Sequence, residues 1–198
     1  MNAKSTTRIT FILLAWLTLA SIAGATGRVG ALQPPVPQLI VLGLTVILLA
    51  LERWDGWFRE WVAATDTRAF VAIHVTRLAV GVAFLVLGRE GRLPLAFSVP
   101  AGWGDVIVGF LAGSLVLGGG VTSATRHKLY HAWNLLGLVD LLFVVASAAR
   151  QAMANPDGMA ALLSFPMSLV PTFLVPILLA SHAWIFLKLG TEPDRAES

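Results

Sequence analysis

The chain has 198 residues, of which 57% are hydrophobic and only 13% charged, with a net charge of +3 and no cysteine. A soluble domain carries about a quarter charged residues, so this composition indicates an integral membrane protein with the lipid bilayer as its partner. The missing cysteines exclude disulfides, iron–sulfur clusters, thiolate metal sites and dithiol exchange, and basic residues scattered over segment ends exclude a nucleic-acid-binding patch.

In chain order, the first apolar run, residues 9–25, follows Lys4 and Arg8 and ends in Ala23-Gly24-Ala25, a pattern that suits signal cleavage as well as a retained span. Residues 26–37, with Gly27, Gly30, Pro34, Pro35 and Pro37, read as an outer loop. A second span over 36–53 leads into ERWDGWFREW, where Trp54, Trp57 and Trp61 at helical spacing among mixed charges suggest an anchor at the membrane interface. The third span covers 69–88. The fourth, 98–117, is expected to start at Pro100 and carries Asp105, Gly109 and Gly113 on one stripe, with Gly109-x-x-x-Gly113 as a close-packing motif. The fifth covers 129–149. The sixth, 167–188, contains Pro171 and Pro176, each of which removes a backbone hydrogen bond.

These runs predict an all-α fold, a polytopic transmembrane helical bundle of six transmembrane helices forming one domain over residues 1–190, with a disordered cytoplasmic tail over 191–198. With the N-terminus cytoplasmic, inside positions hold Lys4, Arg8, Arg53, Arg59, Arg68, Arg126, Lys128, Lys188 and Arg195, against Arg28, Arg89, Arg92 and Arg150 outside. That asymmetry favours both termini in the cytoplasm, and the expected location is the bacterial inner membrane.

Six ionisable residues fall inside the spans: His74, Arg77, Asp105, His131, Asp140 and His182. Each costs roughly 3 kcal/mol to insert, which makes each a candidate functional residue. At a rise of 1.5 Å per residue, His74, Asn134 and His182 lie roughly 7–8 Å from the inner edge, His131 about 3 Å, Arg77 about 12 Å, Asp140 about 16 Å and Asp105 about 20 Å. Arg77 cannot be neutralised, and the lean of side chains towards their helix N-termini points it at Asp140 and away from Asp105. Three arrangements follow: a midplane pair Arg77/Asp140, an isolated Asp105 on a glycine-rich face, and a polar group of His74, His131, Asn134 and His182. The pair either fixes helix register or couples proton movement to transport. Neutral imidazoles of His74, His131 and His182 also suit a transition metal or haem.

Gly102-Trp103-Gly104-Asp105 resembles the GxGD of intramembrane aspartyl proteases, although their second aspartate is expected close by and Asp140 is placed at another depth. Leu93-Pro94, Pro100-Ala101-Gly102-x-Gly104-Asp105 and Trp133-Asn134-Leu135-Leu136-Gly137-x-x-Asp140 together resemble a group of uncharacterised small bacterial polytopic inner-membrane proteins, over roughly residues 70–190. That resemblance implies a shared pattern at Asp105, Asn134 and Asp140 but no activity. Three readings stand: a small-solute or proton-coupled transporter, a membrane-embedded haem or metal redox protein, and a non-catalytic accessory or assembly subunit with a partner or oligomeric neighbour.

Overall fold

Apolar stretches of about 20 residues must satisfy their backbone internally once in lipid, and the helix does so within one segment. A computed structural model describes residues 3–191, which form helices joined by short turns, with no strand. Among these residues, six helices are long and apolar enough to cross a membrane: Thr6–Ala25, Val36–Trp54, Thr67–Arg89, Leu95–Leu117, Ala124–Ala154 and Val170–Thr191. Their outward positions are apolar, with Phe11, Leu19, Leu42, Phe110, Leu135 and Leu142 all exposed, as a lipid-facing surface requires. Thr191 closes the last helix; the rest of the tail read as disordered lies outside the described residues.

The helices are α1 (Ala3–Ala25), α2 (Val36–Trp54), α3 (Gly56–Ala64), α4 (Thr67–Ile73), α5 (Thr76–Arg89), α6 (Leu95–Leu117), α7 (Ala124–Ala154), α8 (Ala160–Leu163) and α9 (Val175–Thr191). The near end of the bundle, where α1 begins and α9 finishes, gathers the segments 55–66 and 118–123. There Lys188 Nζ donates to the Ala63 carbonyl at 2.9 Å, His127 Nε2 to that of Leu189 at 2.9 Å, and Arg126 Nε to that of Gly120 at 2.7 Å. At the far end, the turns after α1 and α7 meet, with Gly30 against Leu163.

Two spans are broken. The third parts at His74–Val75, where the amides of His74, Val75, Arg77 and Leu78 bond three residues back instead of four. A tightened turn inside a helix of this kind marks a hinge or a strained sequence. The sixth opens with a π-helical turn over Val170–Leu174 that contains Pro171 and is followed by Pro176. Pro176 has no amide to offer the carbonyl of Thr172, and the Trp16 indole of α1 donates to that oxygen at 3.0 Å, with its ring edge-on to Phe173 at 5.1 Å.

Three sequence expectations change. α6 starts at Leu95 with Pro94 as its cap, so Pro100 lies inside the helix rather than at its start, where it removes one backbone hydrogen bond and crowds the carbonyl four residues back. Trp54 is 80% exposed, but Trp61 turns inward against Phe58, Phe70 and Trp184, so the tryptophan segment is partly core. The close-packing glycines are not Gly109 and Gly113 as a pair. A Cβ at Gly81 would lie 2.5 Å from the Gly102 carbonyl oxygen and one at Gly109 would lie 2.8 Å from the Leu78 amide nitrogen, whereas at Gly113 the nearest atom is 3.9 Å away. Gly81, Gly102 and Gly109 thus bring α5 and α6 into backbone contact.

Candidate functional site

The close approach of α5 to α6 sets Arg77 beside Asp105, and α7 closes the third side. Arg77 is 1% exposed. Its Nε donates to Asp105 Oδ1 at 2.5 Å, its Nη1 to the Gly137 carbonyl at 3.1 Å, and its Nη2 to Asp140 Oδ2. Asp105 is almost fully buried, and Asp140 keeps 16% of its side-chain surface exposed. One guanidinium therefore spans two carboxylates on two helices, using all three of its nitrogens, a geometry open to arginine and not to lysine.

Asp105 is consequently not the isolated carboxylate expected from its depth. Counted from the observed helix bounds, Arg77 is ten residues from Thr67 and Asp105 twelve from Leu117, or about 15 and 18 Å. An arginine side chain easily spans that difference. The GxGD resemblance gains nothing from having both aspartates close together. A cation lies between them, whereas an aspartyl protease needs two carboxylates sharing a proton.

Next to the triad lies a pair of buried imidazoles. The His74 and His182 ring centroids are 4.3 Å apart, both residues have no exposed surface, and Trp133 borders both rings. Ser181 Oγ donates to the Leu178 carbonyl at 2.8 Å, so its 2.9 Å contact with His74 Nε2 is donated by the imidazole. Asn134 Nδ2 donates to the His182 carbonyl at 3.0 Å, so its Oδ1 accepts from His182 Nδ1 at 2.7 Å. Those bonds assign the tautomers. They leave His74 Nδ1 and His182 Nε2 as buried ring nitrogens without a hydrogen-bond partner. Gly137 joins the two halves of the site: its carbonyl receives Arg77, and a Cβ there would lie 2.8 Å from His182 Cε1. The expected three arrangements are one contiguous network.

His131 does not belong to it. The residue is exposed, with its ring 5.6 Å from His127 and 5.4 Å from Phe186. The buried stripe of α7 runs through Tyr130, Trp133, Asn134, Gly137 and Leu141, and at ~100° per residue His131 sits about 100° round from Tyr130. Without it, the trio His74, His131 and His182 does not converge. Among the described residues no group of three or more His, Asp or Glu side chains is placed to hold a metal ion. The His74 and His182 rings, tilted by 49° with centroids only 4.3 Å apart, touch each other and leave no slot between them for a macrocycle, so the haem and metal reading does not fit these residues.

Ser181, Trp133 and Gly137 belong to the site although none was among the expected site residues. Ser181 had a signal, as a hydroxyl directly before an intramembrane histidine; Trp133 and Gly137 stand in the same W-N-L-L-G run as Asn134. One cavity adjoins the network and a second adjoins the first. A void of about 10 Å³ touches Arg77 and Asp105, and a larger one of about 130 Å³ lies beyond it towards the far end. Comparison with curated proteins and with solved structures gave no match. Residues 34–190, which include every member of the network, match the family described as Domain of unknown function (DUF8737), and the chain belongs to that family.

Proposed function

We propose that the protein is a proton-coupled transporter of small solutes in the bacterial inner membrane. The observation that carries this reading is the Asp105–Arg77–Asp140 triad. One guanidinium offsets only one of two carboxylates, so the ionised triad holds a net negative charge in a bundle core where uncompensated charge is costly. A proton on either carboxylate removes the charge and frees Arg77 to favour the other. Such a cluster has two arrangements related by one proton, which is what coupling requires. His74 and His182, each with a bare ring nitrogen, extend a proton route towards the near end, which the basic-residue count assigns to the cytoplasm.

A second reading, an accessory subunit with a static polar lock, is favoured by the narrow space beside Arg77, about 10 Å³. Reconstitution separates the two. Proteoliposomes challenged with a panel of amines, amino acids and carboxylates across an imposed pH gradient should give transient currents for at least one solute. Asp140→Asn should abolish those currents while the protein keeps its helical content. A silent panel, with wild-type protein folded and oriented, would favour the static lock.

A further inference from the structure

The far-end cavity, about 130 Å³, is walled by apolar side chains including Phe84, Phe97, Val144, Ala148 and Val175. A dry cavity of about 150 Å³ holds a benzene ring, so this one accommodates an aryl or branched-alkyl group of that size. The small void on Arg77 and Asp105 shares Phe84, Val144, Val170 and Val175 with it. It has room for about one water. The cavity therefore ends on a constriction behind which sits the charged triad.

The charges decide what kind of molecule fits. No lysine or arginine lines the larger cavity; its polar lining consists of Gln33 and Gln38 with Asp157, of which Gln33 and Asp157 are exposed at the opening. Gln38 Oε1 is a buried acceptor without a donor. Arg77, behind the constriction, has each nitrogen already on an acceptor and its single charge set against two carboxylates, so an incoming anion meets a site that is net negative. An incoming cation finds a triad with one carboxylate in excess. The wall shared by the two cavities includes Val170, which opens the π-helical turn, and Val175, which follows it, where backbone bonding is already interrupted.

We propose that this cavity binds a small lipophilic monocation, a primary ammonium on an aryl or branched-alkyl body, with its head directed through the constriction towards Asp105. As a substrate class, the assignment rests on the transport reading above; as a binding site, it can be tested alone. Three probes of equal size separate the contributions: benzylammonium, benzyl alcohol and benzoate, titrated calorimetrically into the purified full-length protein in detergent. Ala148→Phe, which fills the cavity from its wall, supplies the baseline for partition into micelles.

Benzylammonium should bind saturably and at least tenfold more tightly than benzyl alcohol, benzoate should not saturate, and Ala148→Phe should lose the cation. Asp105→Asn, which leaves Arg77 paired with Asp140, should narrow the preference for benzylammonium over benzyl alcohol to under threefold. Equal affinity for the alcohol in the wild type would indicate a hydrocarbon site suited to a lipid chain and overturn the proposal. Saturable benzoate binding, absent cation binding, or cation binding unchanged in Ala148→Phe would overturn it equally. Should Asp105→Asn fail to fold, the probe series and Ala148→Phe still decide. Cation binding without pH-driven currents would keep the site and remove the transport reading, and currents for another solute without benzylammonium binding would do the reverse.

Discussion

Truncating Arg77 would leave Asp105 and Asp140 side by side in the bundle without their cation, and breaking a buried ion pair from one side costs about 3–5 kcal/mol. Removing one carboxylate instead leaves a charge-balanced pair. The expected order of destabilisation is therefore Arg77→Ala first, Arg77→Lys next, because one ammonium cannot serve three acceptors at fixed positions, and Asp105→Asn least, at under half the cost of Arg77→Ala. Thermal melting followed by intrinsic tryptophan fluorescence in detergent reads the series, and Asp105→Asn melting below Arg77→Ala would contradict the charge argument. At this scale the sequence identified the expensive residues readily, since an ionisable group in an apolar run stands out. It placed Asp105 wrongly because axial depth treats side chains as points, and a guanidinium reaches past one helical turn of 5.4 Å. It misplaced His131 because depth carries no angular information: His131 and Asn134 are three apart, yet only Asn134 lies on the buried stripe.

The contact of α5 with α6 is made by glycines, and a substitution there tests whether helix spacing holds the triad in place. A methyl at Gly81 meets the Gly102 carbonyl and the Cβ of Asp105 at 2.9 Å, so the helices must part or shear. Overpacking of this kind costs about 1–3 kcal/mol. Gly81→Ala should lower the melting midpoint, whereas Gly113→Ala, whose methyl meets Val75 Cγ2 in ordinary contact at 3.9 Å, should leave it unchanged or raise it by the helix preference of alanine. Equal effects from both would mean that helix propensity, not the close approach, governs this pair. Hydropathy suffices to locate the six helices, because span length is set by bilayer thickness. The breaks were only half legible. Pro171 and Pro176 signalled the interrupted sixth span, but the tightened turn at His74–Val75 contains neither proline nor glycine, so the usual breaker residues gave no sign of it.

For the whole molecule, orientation decides which compartment the far-end cavity meets. The alternation of six spans puts the segments 55–66 and 118–123 with the α9 terminus at the near end, and their mutual hydrogen bonds hold them there. Arg53, Arg59, Arg68, Arg126, Lys128 and Lys188 lie at that end, against Arg28, Arg89, Arg92 and Arg150 at the other. Short loops obey the excess of Lys and Arg on the cytoplasmic side, so the near end is expected inside. Because the chain has no cysteine, single substitutions report without background. Arg92→Cys, exposed beyond α5, should react with a membrane-impermeant maleimide in intact cells. Thr122→Cys, exposed between α6 and α7, should react only after the membrane is opened. With that outcome the cavity opens to the exterior, and an inward proton gradient would drive protons past Asp105 towards the histidines. The opposite labelling pattern would turn the cavity to the cytoplasm, so that a lipophilic cation bound there would approach the triad from inside and leave against the incoming proton.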